Sequence, residues 1–174
     1  MSTTKKTTTK KPIAGKPTAA PVAAAGKISK PPSKAATQAP AGSGGTKDRP
    51  WTLTTPAGGS EFLAWRDDTL DPPALVVRVG TTELRYHLRC VEELHTMLRE
   101  HGDWMALGAA DEGKPAAADS VEAWGRSPSN PVGGWYGLRK GYRGRFGMYV
   151  PMVLAKLGLA EVESKPRNNR VRAL

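Results

Sequence analysis

Cysteine is nearly absent from the sequence, since Cys90 is the only one in 174 residues. An intramolecular disulfide is therefore impossible, and so is a metal site built from several thiolates. Because Cys90 stands where a helix is predicted to begin, we expect it to be a small buried apolar residue. His87, His95 and His101 do not share one helical face, so we interpret them as ordinary side chains rather than metal ligands.

Large apolar residues are scarce in the N-terminal part of the chain. Residues 1–50 contain no Trp, Tyr, Phe or Leu and consist almost wholly of Thr, Lys, Pro, Ala, Gly and Ser. Such a segment cannot bury enough apolar surface to offset the entropy of ordering it. All five tryptophans lie from Trp51 onward. We therefore predict a disordered basic tail over residues 1–49 and a single folded domain over residues 50–174.

Several functional motifs are missing as well. The chain has no Gly-Lys-Ser/Thr ending of a P-loop, no dinucleotide-binding fingerprint and no Gly-x-Ser-x-Gly elbow, so no motif indicates a catalytic residue or a cofactor. Asp111, Glu112 and Asp119 lack the spacing of a calcium loop, and we predict a solvated loop there. No long apolar run and no signal-peptide core are present, which favours a cytoplasmic location.

Positive charge is present in excess but is unevenly distributed. The formal net charge is +10, with ten Lys/Arg and one acid in residues 1–50, six and thirteen in residues 51–124, and ten and two in residues 125–174. The folded domain is thus close to neutral but polarised, with an acidic first portion and a basic last portion. This polarity indicates a directed basic face, or alternatively two portions that neutralise each other within one fold.

Alternating apolar residues predict β-strands over residues 51–55 and 61–66. Two further alternating runs, 74–79 and 82–88, flank a turn that begins at Gly80 and predict a β-hairpin. Each run would place its apolar side chains on one face of an antiparallel sheet.

Helical spacing of apolar residues from Val91 to His101, with Gly102 placed to end it, predicts a helix on this sheet. A second helix is predicted over 148–157, with Pro151 in its first turn and Gly158 as its C-terminal cap. We predict an α+β fold, an antiparallel sheet with one or two packed helices. The remaining predicted strands are 104–108, 121–125, 159–163 and 170–174. We assign four tryptophans to the core: Trp51, Trp65, Trp104 and Trp124.

The segment of residues 133–149, GGWYGLRKGYRGRFGMY, combines cations, aromatics and glycines. Guanidinium and ammonium groups bind phosphates, and aromatic rings stack on bases, so this composition suits a nucleic acid. We assign Trp135, Phe146 and Tyr149 to the core. The predicted contact residues are Arg139, Lys140, Arg143, Arg145, Tyr136 and Tyr142, with Arg167 and Arg170 near the C-terminus.

The same segment has a second interpretation. Its glycines would serve tight turns, and its arginines would pair with the acidic first portion of the domain, as arginines on protein surfaces commonly do. In the first interpretation the cations have no acidic partner within the domain, and in the second they are paired with its acids.

Three resemblances add to these patterns. The tail resembles the lysine-, alanine- and proline-rich tails of linker histones and bacterial histone-like proteins, which implies loose, salt-sensitive contact with nucleic acid; a solubilising extension is the alternative. A helix followed by a basic hairpin is similar in outline to a winged helix, although MYVPMVLAKL is too apolar for a recognition helix. WGRSPSNPVGGWYGLRKGYRGRFGMYVP (124–151) and PRNNR (166–170) resemble an uncharacterised domain of high-GC bacteria, which implies no activity.

The sequence therefore favours a nucleic-acid-binding protein with little sequence specificity, which would be nucleoid-associated if the partner is DNA rather than RNA. The tail would attract the polyanion, and the basic segment would make the ordered contact. Two other hypotheses stay open: a protein interaction module with acidic and basic faces, and an enzyme that acts on a phosphorylated or nucleotide substrate.

Overall fold

The computed structural model describes residues 45–174, and nearly all of the predicted tail lies outside the described residues. The described part confirms an α+β fold with an antiparallel sheet. Its strands and helices, in chain order, are β1 Trp51–Thr54, β2 Glu61–Asp67, β3 Ala74–Val79, β4 Thr82–His87, α1 Cys90–His101, β5 Met105–Ala106, α2 Val121–Trp124, α3 Phe146–Lys156, β6 Ala160–Val162 and β7 Arg170–Ala173.

The first four strands form an antiparallel sheet in the order β1-β2-β3-β4. The predicted hairpin is confirmed, with Leu75 opposite Tyr86 and Val77 opposite Leu84 in the register of β3 and β4. These four side chains are buried on the face that joins the main core. Alternation therefore placed this hairpin correctly because one of its faces is fully covered.

The other face of this sheet is less polar than its sequence suggests. Trp65 and Val76 are buried there, and Leu138 packs against them from a later part of the chain. Arg78 is exposed, but its guanidinium carbon lies 5.4 Å from the centre of the Trp65 ring. This face therefore carries a second, smaller apolar cluster.

Helix α1 matches its prediction. Gly102 follows it with φ 73°, a left-handed conformation that glycine adopts readily, and donates its N–H to the Leu98 carbonyl at 3.1 Å. Cys90 begins the helix and is completely buried, as expected, and burial raises the pKa of its thiol. The helix contacts α3 and β7.

The last three strands form a second antiparallel sheet in the order β5-β7-β6. The predicted succession of a helix and a hairpin is present, as helix α3 followed by the β6–β7 hairpin. Helix α3 is nevertheless buried along most of its length, including Tyr149, Val150, Val153 and Leu154. It is part of the core and is not available to enter a DNA groove, as its apolar sequence indicated.

Two predictions about the helices are wrong. The segment predicted as a strand at 121–125 is helix α2, because the Ser120 hydroxyl accepts a hydrogen bond from the Ala123 N–H at 3.2 Å and caps a helical turn. Helix α3 begins at Phe146, two residues earlier than predicted, so Pro151 lies beyond its first turn. It ends at Lys156, one residue before the predicted end, and its C-cap is Leu157; Gly158, predicted as the cap, follows with φ 72°.

Candidate nucleic-acid interface

Residues 133–145 of the basic segment lie in a long connection between α2 and α3, which runs beside strand β4, and residues 146–149 begin helix α3. The His87 N–H donates to the Tyr136 carbonyl at 2.9 Å, and the Leu138 N–H donates to the Arg85 carbonyl at 2.8 Å. This short antiparallel pairing carries the chain toward the β3–β4 turn. Residues 139–145, which we term the basic loop, follow directly.

The start of this connection is held by Asn130, which is 5% exposed. Its amide nitrogen donates to the Trp124 carbonyl at 2.8 Å and the Gly134 carbonyl at 2.6 Å. Its amide oxygen accepts from the Val132 N–H at 3.1 Å. One buried side chain thus satisfies backbone groups that no helix or strand would pair.

Tyr136 is not a contact residue, which corrects the prediction from sequence. Its side chain is 0% exposed and stacks between Trp124 and Phe146, with ring centres 5.1 and 5.3 Å away. Its hydroxyl donates to Glu93 at 2.7 Å. A base cannot reach this ring, because protein already covers both of its faces.

A buried ion pair between Glu122 and Arg126 holds the end of the connection that leads into helix α3. Glu122 is 0% exposed and accepts from the Arg126 Nε at 2.8 Å and from the Gly147 N–H of helix α3 at 2.7 Å. The Arg126 Nη1 donates to the Lys114 carbonyl at 2.8 Å. Burial raises the pKa of Glu122, while the hydrogen bonds from Gly147 and Arg126 oppose that rise. The pair therefore joins α2, α3 and the loop before Lys114.

Arg126 also explains the position of Trp135, which was assigned to the core. Trp135 is only half-buried, and the Arg126 guanidinium carbon lies 4.5 Å from the centre of its ring. Phe146 and Tyr149 are 1% and 5% exposed, and their assignment to the core is confirmed.

Arg145 is held by an acid, as the second interpretation predicts. Its Nε donates to the Asp111 carboxylate at 2.7 Å, and its backbone N–H donates to the Ala110 carbonyl at 2.8 Å. The guanidinium lowers the pKa of Asp111. Arg145 has φ 64°, a left-handed conformation that is uncommon for a residue with a Cβ and costs energy.

Arg143 is only partly available. Its backbone N–H donates to the Glu112 carboxylate at 2.9 Å, and its side chain packs over Gly137, where an added Cβ would lie 2.6 Å from the Arg143 Cα. The Arg143 Nε is buried and has no hydrogen-bond partner. The Arg143 side chain is half-buried, whereas those of Arg139 and Lys140 are exposed.

The tip of the basic loop is different, because Arg139, Lys140 and Tyr142 are all exposed. The Arg139 guanidinium carbon lies 4.0 Å from the centre of the Tyr142 ring, in cation–π geometry. Within residues 45–174, no acid lies within ion-pair distance of Arg139 or Lys140. Two unpaired cations and one open ring therefore share this tip.

The two C-terminal arginines also differ from each other. Arg170 pairs with Glu163 at 2.7 Å and lies over Trp104, 5.3 Å from its ring centre. Arg170 and Lys165 lower the pKa of Glu163 to about 2. Trp104, expected in the core, is half-buried against this arginine. Arg167 is exposed and makes no ion pair in the described part of the chain, so it alone of the two is free.

Sequence reasoning missed Glu122, Asn130 and Ser120. Glu122 and Arg126 are four residues apart, the spacing of a helical ion pair, but the predicted strand concealed this signal. The burial of Asn130 depends on distant contacts and has no local signature. In the part of the chain from 45 to 174, no three His, Cys, Asp or Glu side chains gather so as to hold a metal ion.

Residues 43–174 match the model of DUF6855, described as a family of unknown function, and the chain belongs to this family. The match agrees with the resemblance to an uncharacterised domain. Neither the curated proteins nor the solved structures contain a significant match. Among the helices described, none has the length and apolar character needed to cross a membrane.

Proposed function

We propose that this member of DUF6855 binds nucleic acid with little sequence specificity, through the tip of the basic loop. The observation that carries the proposal is the exposed group of Arg139, Lys140 and Tyr142, in which neither cation is paired with an acid of the described chain. Free cations attract phosphates, and an open tyrosine ring stacks on a base of any sequence.

Fewer residues are available to contact phosphates or to stack on bases than the sequence alone suggests. Arg145 and Arg170 already pair with Asp111 and Glu163, and Tyr136 is buried. Arg143 contributes less than its neighbours because it is half-buried. Arg167, in the β6–β7 turn, adds a separate exposed cation for the phosphate backbone.

The lysine-rich sequence of residues 1–50 adds a second, non-specific attraction. Each lysine near a phosphate releases about one counterion, so the affinity of the full chain should fall steeply as the salt concentration rises. This division of roles, with attraction by the tail and ordered contact by the loop, also follows from the resemblance to histone-like tails. For a DNA partner it implies a bacterial, nucleoid-associated protein in the cytoplasm.

The test is a salt titration of affinity for duplex DNA, single-stranded DNA and RNA, using the full chain and the double variant Arg139→Ala, Lys140→Ala. Losing two phosphate contacts should reduce the slope of log affinity against log salt by about 1.4 to 1.8. A matched control is Arg99→Ala, Lys156→Ala, which removes the same charge from two exposed cations at the ends of α1 and α3.

The control variant should keep the slope of the original protein within about 0.5, because Arg99 and Lys156 are not expected to contact phosphate. Equal slopes for the loop variant and the control would show that the loop makes no ordered contact. Absence of binding to all three polymers at low salt would refute the proposed function itself.

A further inference from the structure

We infer that the cavity beside the basic loop holds one unpaired base, with guanine preferred, so that the protein binds single strands more tightly than duplexes. The inference rests on the proposed function and adds to it a site for the base and a chemical preference. The cavity has a volume of about 340 Å³ and lies between the β3–β4 turn, the basic loop and residues 111–112.

The size and walls of this cavity suit a single flat ring system. Its volume is near the lower end of the range for small-molecule sites, roughly 300 to 1,000 Å³. Val79 and Leu84 line it on the sheet side, and Tyr142 lines it on the loop side. Tyr142 is 37% exposed, one of two large hydrophobic side chains in the described part that stay open to solvent. A base entering here gains a stacking partner.

Opposite charges meet in the same cavity. Glu112 and Arg145 both line it. One Glu112 oxygen accepts from the Arg143 N–H at 2.9 Å, and the other has no hydrogen-bond partner among residues 45–174. Arg145 is tied to Asp111 through its Nε, which leaves its Nη2 as a further donor. The cavity thus offers a carboxylate acceptor and a guanidinium donor.

Guanine fits this pair better than the other bases. Its Watson–Crick edge carries the O6 acceptor beside two donors, the N1–H and the N2 amino group. A carboxylate accepts from both donors, while a guanidinium donates to O6. Thymine offers one donor and hypoxanthine lacks the amino group, so each would leave part of the Glu112 carboxylate without a partner.

The same geometry favours single strands. In a duplex the Watson–Crick edge is already paired, and the base must be unstacked before it can enter a protein cavity, which costs a few kcal/mol. A single strand avoids most of that cost.

The backbone of Arg145 also points to a ligand site. Arg145 lies at this cavity in a left-handed conformation, and strained residues of this kind occur often in ligand sites.

The test measures binding of the full chain to thymidine oligomers of about 12 nucleotides, a typical single-strand site size, by fluorescence anisotropy. The central position carries guanine, hypoxanthine or thymine. Guanine should bind about tenfold more tightly than either, which is the discrimination usual for one bidentate base contact. A duplex that contains the guanine oligomer should bind more weakly than the single strand.

Glu112→Gln should abolish the guanine preference, so that the guanine and all-thymidine oligomers bind this variant equally tightly, while glutamine still accepts from the Arg143 N–H and keeps the loop in place. Tyr142→Ala should weaken binding of every single strand by about tenfold, through the loss of one stacked base. Glu100→Gln, which makes the same charge change at an exposed residue of α1, should retain the preference.

The outcomes separate this inference from the proposed function. Binding without a guanine preference, or a preference that persists in Glu112→Gln, would overturn the guanine site while the general nucleic-acid function stands. Equal affinity for duplex and single strand would overturn the choice of an unpaired base. If no oligomer binds at all, the proposed function is wrong and the cavity has no such ligand.

Discussion

Replacement of Glu122 by alanine is expected to lower the free energy of unfolding by about 3 to 5 kcal/mol. The variant removes the carboxylate that accepts from Arg126 and from the N–H of Gly147. It leaves the Arg126 guanidinium, 10% exposed, without its counter-charge. An uncompensated charge at such a position is costly, because the protein interior cannot replace its hydration.

The control for this variant is Glu161→Ala on strand β6. Glu161 pairs with Arg172 at 2.7 Å, but both side chains are about half exposed, at 49% and 47%. Solvent screens such pairs, and their loss costs roughly 0 to 1 kcal/mol. Urea denaturation of the full-length variants measures both values. A loss for Glu122→Ala as small as that for Glu161→Ala would show that the buried pair is not a main support of the connection.

A loss of about 3 to 5 kcal/mol is also expected for Tyr136→Ala, the usual range for a large aromatic side chain removed from a core. The ring lies between Trp124 and Phe146, and Tyr86 is packed edge-on against Phe146 at 5.6 Å. Alanine would leave a void between these rings and remove their stacking. Urea denaturation again supplies the measurement.

Tyr136→Phe keeps the ring and removes only the hydroxyl that donates to Glu93. The expected loss of stability is about 1.5 to 3 kcal/mol, the usual contribution of a hydrogen bond to a charged group, and Glu93 keeps its ion pair with Arg89. Affinity for nucleic acid should not change, because the ring is inaccessible. Weaker binding by this stably folded variant would contradict the assignment of Tyr136 to the core.

The parts of the fold that were predictable from sequence are those with a local signal. The β3–β4 hairpin has alternating apolar residues on both strands, α1 has helical spacing and a terminating glycine, and β6 and β7 surround a polar turn. Each pattern reflects burial on a single face. Helix α2 was missed because four residues are too few for periodicity, and a short apolar run does not distinguish strand from helix.

The site was only partly predictable, because the acid that pairs with Arg145 lies far away in sequence. Arg145 meets Asp111, and Arg139 meets Tyr142 within the loop itself. Composition identified a basic segment, but not which of its cations were already paired. Tyr136 and Tyr142 have similar neighbours in sequence, yet one is enclosed by Trp124 and Phe146 and the other is open.

Photo-crosslinking tests most directly whether the tip of the basic loop contacts nucleic acid. The full chain is irradiated with a single-stranded oligonucleotide, and the crosslinked residues are identified by mass spectrometry. We expect a crosslink at Tyr142, the open ring of the tip, and its loss in the Tyr142→Ala variant. Crosslinks confined to residues 1–50, or none at residues 139–145, would contradict the claim.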